Sequence, residues 1–247
     1  MLVEICCGSI DDAIEAEAGG ADRIELCSAL FLGGLTPSIG TILEAKARLK
    51  IPVMVMIRPR AGGFCYAEAE MASMERDAEI ALANGADGLV FGILNPDGTV
   101  DANRCRRILQ RMGVQQRVFH RAFDVTPDPR AALDQLVDLG FTRILTSGQQ
   151  DTVPEGIDLI REIIQYARGR IEILPGGGIR PSHIAEVVRR TGCTQVHLTA
   201  FKNQVDTSTR ARPEVTFGGS LQPREDLYQL TDRELVRSIV SSDQKSS

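Results

Sequence analysis

The sequence has 247 residues, 43% hydrophobic and 25% charged, with a formal net charge of −5. This length and composition suit one α/β barrel with a sizeable core. No basic patch stands out and there is no Trp, so nucleic acid is not an expected partner. No apolar run approaches the roughly 18 residues that cross a bilayer, and no basic leader begins the chain, so we expect no membrane association. The six Cys show no CxxC spacing, which predicts reduced thiols in a cytosolic protein.

Short β-branched runs alternate with longer amphipathic stretches along the whole chain, as in parallel sheets whose strands are connected by helices. The predicted strands are residues 2–6, 23–27, 53–58, 88–93, 117–121, 142–146, 171–174 and 195–199. Eight such units predict a single (β/α)₈ barrel of the TIM type over residues 1–247. A polar stretch at about residues 202–230 interrupts the pattern and is predicted to be irregular before the last helix.

An internal repeat at every second unit supports the closed barrel. The segments GADRIELC, GADGLVFG, GFTRILTS and GCTQVHLT begin at residues 20, 85, 140 and 192. Each starts with a Gly suited to a helix C-terminus and runs directly into an even-numbered strand. A doubly wound open sheet also alternates, but in a barrel alternate strands share an interior layer, which explains a repeat of every second unit.

The repeat also predicts which strand residues face the barrel interior. Glu25 aligns with His197, and Cys27 aligns with Thr199 two residues further on, so these residues share a face. Polar groups would be costly on the outer face, which packs against apolar helices, so they are predicted to point inward near the carboxyl end. The same pattern adds further inward residues on the first and fifth strands: Glu4, Cys6, His120 and Asp124.

Acid and base groups thus gather at one end of the barrel, where several strands supply the catalytic residues of this fold. A carboxyl group beside an imidazole can exchange protons with a substrate. The candidates for catalysis are Glu25, His120, Asp124 and His197. The alternative for each is a hydrogen-bonded polar core without a catalytic role.

The glycine-rich segment PGGGI after the seventh strand predicts an anion site. Glycines allow backbone amides to approach an anion, and the loops after strands seven and eight of such barrels often hold a phosphate. The predicted binding residues are Gly176, Gly177, Gly178 and Thr199. The alternative is a tight turn that binds no ligand.

Arg58, at the end of the third strand, is a further candidate for the anion site. Its guanidinium could bind a carboxylate or phosphate with two parallel hydrogen bonds. The alternative is a buried ion pair with Glu4 or Glu25.

Ten motifs connect the sequence to a known family. They are EICCGS, GGADRIELCSA, GGLTPSIG, IPVMVMIRPR, GADGLVFGIL, PDGTVD, FHRAFD, RILTSGQ, RIEILPGGGI and VHLTAF, within residues 4–201. On these motifs the sequence resembles the copper homeostasis protein CutC family. The resemblance implies a TIM-type barrel, a cytoplasmic location, a homodimer and a role in copper homeostasis, with Cu(I) as the ligand. It implies no catalysed reaction. The other hypotheses are a barrel enzyme for a small anionic or phosphorylated metabolite and a non-catalytic binding protein.

If copper binds directly, Cys6 and Cys27 are the predicted ligands, because they occupy equivalent positions on neighbouring strands roughly 4.8 Å apart. Thiolates are soft ligands that select Cu(I). We expect Arg58 to lower a thiol pKa, and Glu4 and Glu25 to oppose this through their negative charge. The alternative is a pair of buried thiols that act as small hydrophobes.

Overall fold

The computed structural model describes residues 1–217 and 225–244, with side chains described to residue 241. The strands are β1 (Leu2–Cys7), β2 (Arg23–Leu26), β3 (Val53–Met56), β4 (Gly88–Phe91), β5 (Gln116–Phe119), β6 (Arg143–Thr146), β7 (Glu172–Pro175), β8 (Gln195–Leu198), β9 (Phe201–Val205) and β10 (Leu227–Thr231). The helices are α1 (Ile10–Gly19), α2 (Ile39–Arg48), α3 (Glu68–Ala83), α4 (Ala102–Leu109), α5 (Pro129–Leu139), α6 (Val153–Ala167), α7 (Pro181–Thr191) and α8 (Arg233–Gln244).

Strands β1 to β8 are parallel and form one nearly closed barrel, as predicted. Their order is β7-β6-β5-β4-β3-β2-β1-β8, and an isolated parallel bridge between Gly176 and His197 joins the two ends. The carboxyl ends of all eight strands therefore meet on one face, which is where this fold places functional groups.

None of the helices in the described part of the chain has the length and apolar character that a transmembrane span requires.

The four repeat glycines end helices in the way the sequence indicates. Gly20, Gly85, Gly140 and Gly192 have φ angles of 95°, 87°, 82° and 72°. These left-handed values favour Gly and turn each chain directly into an even-numbered strand. The regularity fixes the length of each unit and therefore the register of the strand residues that follow.

The barrel has two packed regions. A large apolar cluster lies between the sheet and the helices, while a smaller one fills the interior: Cys6, Cys27, Met54, Met56, Val90, Val118, Leu145 and Leu174. In the repeat alignment, Val90 and Leu145 occupy the same position as Glu25 and His197, which is the position predicted to face inward. Their place in the interior cluster confirms that register.

The fifth strand departs from the prediction at its end. It stops at Phe119, and a short 3-10 helix, Arg121–Val125, follows. His120 begins this turn, because its Nδ1 accepts a hydrogen bond of 3.1 Å from the Ala122 amide. The prediction that Asp124 lies on a strand face is therefore wrong, since the residue lies on this helical turn.

The segment predicted as irregular is partly regular. Strands β9 and β10 form an antiparallel pair in which Phe201 lies opposite Thr231. The prediction was wrong at both ends of the segment, and residues 218–224 lie outside the described part of the chain. The Thr231 amide donates a 2.7 Å hydrogen bond to Asp12 in α1, which attaches this pair to the barrel.

Candidate functional site

The carboxyl end of the barrel contains a cavity of about 470 Å³. All of the site residues predicted from the sequence line it: Cys6, Glu25, Cys27, Arg58, His120, Asp124, Gly176, Gly177, Gly178, His197 and Thr199. The repeat register brings together these residues, which come from six different strands or strand ends. The volume suits a small molecule or a metal ion with its surrounding groups.

The two predicted thiols meet at one carboxyl group. Cys6 and Glu25 are register partners on β1 and β2, and Cys27 follows two residues after Glu25. Cys6 Sγ lies 3.4 Å, and Cys27 Sγ 3.5 Å, from the same atom, Glu25 Oε2. The two sulfurs and this oxygen all lie within 4.8 Å of one another, and all three residues are buried. They form a set of donors that could hold a metal ion.

The first thiol is poised as a thiolate. A hydrogen bond from Cys27 is the largest cause that lowers the pKa of Cys6 to about 5, and His197 and Glu25 add to it against the effect of burial. The hydrogen bond to Cys6 and burial raise the pKa of Cys27 well above its usual value. At neutral pH, Cys6 therefore carries the negative charge and Cys27 keeps its proton.

Glu25 is a neutral acid in this setting. Burial and the neighbouring Cys6 charge raise its pKa to about 8. Its Oε2 contacts both thiols, whereas its buried Oε1 has no hydrogen-bond partner among the described residues. The expectation that Glu25 disfavours a thiolate holds for Cys27, because Glu25 raises the pKa of that thiol, but it is wrong for Cys6, whose pKa is lowered by its hydrogen bond with Glu25.

A buried ion network lies beneath the thiols. His197 Nδ1 lies 2.7 Å from Glu4 Oε1, and Arg23 forms a buried ion pair with the same carboxylate. Burial favours protonation of Glu4, but His197 and Arg23 lower its pKa to about 2. Burial opposes the charge on His197, but Glu25 in its ionised form, Cys6 and Glu4 raise the pKa of His197 well above its usual value. His197 is therefore an imidazolium held beside the Cys6 thiolate.

Arg58 makes neither of the ion pairs considered from the sequence. Its Nη1 donates to the carbonyls of Leu32 and Gly34 at 3.0 and 3.1 Å, and its Nη2 donates to Gly62 at 2.8 Å. The expectation that it lowers a thiol pKa also finds no support, because His197 does this instead. Arg58 Nε is buried without a partner among the described residues.

His120 is a neutral hydrogen-bond donor at the cavity wall. Burial and the charge of Arg58 lower its pKa to about 3. Its Nδ1 accepts from the Ala122 amide, so the proton resides on Nε2, which is buried and unpartnered in the described part of the chain. The Phe64 ring lies against it, with 4.9 Å between ring centroids.

Asp124 organises the loop that follows β6. It accepts hydrogen bonds from Thr146 Oγ1, from the Ser147 amide and hydroxyl, and from the Gln149 amide. It also forms a 2.7 Å ion pair with Arg121 Nε. Because both carboxylate oxygens are used in this way, the residue positions other groups and is not available as a general base.

Arg121 is a residue that the sequence reasoning missed as a site candidate. Its Nη2 donates to Ser147 Oγ at 2.6 Å, and its guanidinium packs against the glycine-rich loop. Arg121 and Asp124 lie three residues apart just after a strand, a spacing that allows their side chains to pair on one turn, and this is the signal that could have identified Arg121.

The glycine-rich loop approaches the cavity closely. Gly177 has φ 121°, and an added Cβ would lie 3.0 Å from Arg121 Nη1. At Gly178, with φ 67°, an added Cβ would lie 2.6 Å from Thr152 Cγ2. Both the backbone conformation and the available space therefore require glycine here. Thr199, just after β8, is exposed on the neighbouring wall.

The chain is similar to known proteins over most of its length. The model of the CutC family matches residues 1–202. A family protein CutC from Treponema denticola is 49% identical over 240 residues, covering 97% of this chain and 98% of that protein. The human copper homeostasis protein cutC homolog is 42% identical over 238 residues, covering 96% of this chain and 87% of that protein. A crystal structure of CutC from Streptococcus agalactiae is 39% identical, with a TM-score of 0.78 over 81% of this chain and 98% of that one.

Proposed function

Because this chain belongs to the CutC family, we propose that it binds Cu(I) as its cargo through the thiols of Cys6 and Cys27. The observation that carries this proposal is the convergence of both sulfurs on Glu25 Oε2, at 3.4 and 3.5 Å, in a buried part of the cavity. The human and mouse relatives are named copper homeostasis proteins.

The donor atoms fit a soft cation. Thiolates select Cu(I) over the hard divalent ions that prefer oxygen ligands. Metal–thiolate bonds of about 2.3 Å, the length found for zinc, span two sulfurs up to about 4.6 Å apart. The sulfurs of Cys6 and Cys27 lie within 4.8 Å of each other, so a small adjustment brings both into contact with one ion.

The surroundings of the thiols favour a monovalent cation. Cys6 already carries a negative charge at neutral pH, since its pKa is lowered to about 5. Binding then requires the loss of the Cys27 proton, and the Cu(I) charge compensates for the second thiolate. Because Glu25 is neutral, it adds no further negative charge to this buried region. A divalent ion is therefore not needed to balance the charge of the donor groups.

The test is anaerobic competition against a chromophoric Cu(I) chelator. We expect the wild type to remove Cu(I) from the chelator, and Cys6→Ser, Cys27→Ser and the double variant to lose this capacity. Cys7→Ala is the matched control, because Cys7 lies on the same strand but packs in the outer apolar cluster. Unchanged affinity in the double variant would exclude the pair as ligands. Failure of the wild type to compete would reject direct copper binding.

The cytoplasmic location and the homodimer that the family resemblance implies are part of the same proposal. A reducing compartment would keep Cys6 and Cys27 as free thiols. Sedimentation of the purified chain at several concentrations tests the dimer, and a fluorescent fusion in cells tests the location. A monomer at all concentrations, or a fusion outside the cytoplasm, would contradict the corresponding part.

A further inference from the structure

We propose that the same cavity binds a small phosphate monoester independently of copper. Its phosphate would bind at the glycine-rich loop, and an oxygen of its organic part would accept a hydrogen bond from His120. This site lies on the β5 to β8 side of the cavity, whereas the thiols lie on β1 and β2.

The loop presents backbone donors to the cavity. The Gly176 amide donates to the Thr146 carbonyl at 2.9 Å, and the Gly177 carbonyl accepts from the Val153 amide at 2.8 Å, which fixes the loop. Outside the helices and strand ladders of the described residues, no backbone carbonyl accepts a hydrogen bond from the amides of Gly177, Gly178 or Thr199. Fixed amides that lie in front of a helix N-terminus, here that of α7, are suited to phosphate oxygens.

Arg121 supplies a cation at the same place. Asp124 and Ser147 hold its Nε and Nη2. Its Nη1 has no acceptor among the described residues and lies 3.0 Å from where a Gly177 Cβ would be. A guanidinium that is already oriented binds phosphate with little further loss of freedom.

Independent support for a ligand comes from the other walls of the cavity. Three buried polar atoms that belong to lining residues have no partner within the described chain: His120 Nε2, Glu25 Oε1 and Arg58 Nε. These residues are 4%, 3% and 6% exposed. Buried polar atoms without partners are rare in proteins, because the loss of hydration is then not offset. A polar ligand would provide partners.

The charges at the cavity wall favour an anion. Two arginines, Arg58 and Arg121, line the cavity, and Asp124 forms an ion pair with Arg121. Arg58 instead donates its hydrogen bonds to backbone carbonyls. A guanidinium in a concave site of low dielectric attracts a small anion.

The class of ligand follows from the positions of these groups. The unpartnered atoms of His120 and Glu25 lie just after β5 and on β2, on other sides of the barrel from the loop after β7. Inorganic phosphate on the loop would leave them without partners, whereas a monoester with hydroxyl or carbonyl oxygens can extend towards them. The volume of about 470 Å³ accommodates a molecule of this size.

The experiment is calorimetric titration of the copper-free full chain with inorganic phosphate, glycerol 3-phosphate, ribose 5-phosphate and, as the uncharged control, glycerol. We expect at least one monoester to bind more tightly than inorganic phosphate, and glycerol not to bind. Arg121→Gln should weaken binding by at least about tenfold, the loss typical of a charge-assisted hydrogen bond. Gly177→Ala should also weaken it by at least about tenfold, because the added Cβ at positive φ would lie 3.0 Å from Arg121 Nη1 and disturb both groups. His120→Asn should weaken only the monoester.

Two matched controls separate binding from folding. Gly192→Ala also places a side chain at positive φ, but an added Cβ meets nothing within 4 Å. Arg60→Gln removes another arginine near the mouth, which is paired with Glu70. Both should bind like the wild type, and circular dichroism should show that every variant is folded. Absence of binding for inorganic phosphate and both monoesters, or unchanged binding in both folded loop variants, would overturn the proposal.

Independence from copper is measured on the same proteins. Gly177→Ala should weaken monoester binding and keep its affinity for Cu(I), because Cys6 and Cys27 lie on other strands. The double Cys variant should keep its affinity for the monoester. Loss of both ligands in both folded variants would contradict two separate sites, whereas failure of only one ligand rejects only the corresponding proposal.

Discussion

Cys6 and Glu25 are register partners on adjacent parallel strands, and their side chains meet with 3.4 Å between Sγ and Oε2. The contact reverses the usual protonation order of the two groups. The pKa of the thiol is lowered to about 5, and that of the carboxyl is raised to about 8. The pair therefore holds one proton on oxygen and one charge on sulfur at neutral pH, and its two titrations belong to the pair as a whole.

The first prediction concerns this thiolate. Ultraviolet absorbance of the copper-free protein should show one thiolate that titrates near pH 5, and Cys6→Ser should abolish it. His197→Gln should raise the pKa of Cys6 towards the usual thiol value, because the imidazolium stabilises the sulfur anion. His183→Gln, which changes an imidazole in α7, is the control. An unchanged titration in His197→Gln would show that this imidazolium does not set the thiol pKa.

The second prediction concerns protons released on Cu(I) binding. At pH 7 about one proton per ion should be released, because Cys27 is the one of the two thiols that still carries a proton. Below pH 5, where Cys6 is also protonated, about two should be released. Affinity should therefore fall with decreasing pH by about tenfold per pH unit above pH 5 and about a hundredfold below it.

A weakly buffered titration with a pH indicator measures the release, and chelator competition, corrected for the chelator's own protonation, measures the affinity. Glu25→Gln is the control, because it removes the carboxyl as a proton source and leaves both thiols. Release of two protons at pH 7 in this variant would mean that Cys6 is not a thiolate before copper binds.

The third prediction concerns the space around His120. An added Cβ at Gly92 would lie 2.6 Å from His120 Cε1 and Nδ1 and 2.8 Å from Ala122 Cβ. Gly92→Ala should therefore lower the free energy of unfolding by about 1–3 kcal/mol, the usual cost of overpacking a core. Gly63→Ala meets nothing within 4 Å and should change it by less than about 0.5 kcal/mol. Urea unfolding compares the two, and equal stabilities would contradict the tight contact.

The fourth prediction tests whether Asp124 positions the β6 loop. Asp124→Asn should lower the free energy of unfolding by about 2–3 kcal/mol, because an amide nitrogen would face donors that a charged carboxylate now accepts. Hydrogen exchange at the Ser147 and Gln149 amides should become faster. Asp151→Asn, an exposed change on the same loop, should have neither effect. If exchange at both amides is unchanged in Asp124→Asn, the carboxylate does not hold this loop.

Periodicity was sufficient to predict the barrel and the facing of its strands. Glu25 and His197 both point inward because a strand has a period of two and each repeat begins at a helix-ending glycine. These are local rules, so they can be read from one segment at a time. The same rules placed Cys6 and Cys27 on one face, but the offset that brings both sulfurs to Glu25 Oε2 is a property of strand register.

The partners of the charged residues could not be predicted in this way. Arg58 was a plausible partner for Glu4, yet Arg23 forms that pair, and Arg58 binds carbonyls of the loops after β2 and β3. Only the paths of the side chains across the closed barrel decide which arginine reaches Glu4. The role of Arg121 depends likewise on a turn that the His120 side chain begins.

What the sequence by itself determined is the set of groups that line the cavity, because alternation and helix-ending glycines are short-range constraints. What the tertiary structure decided is the chemical state of those groups. The pKa of Cys6 is lowered while that of Glu25 is raised, because closure of the barrel buries them together beside His197. Desolvation and charge pairing depend on distances between strands that are far apart in the chain, so no single segment encodes them.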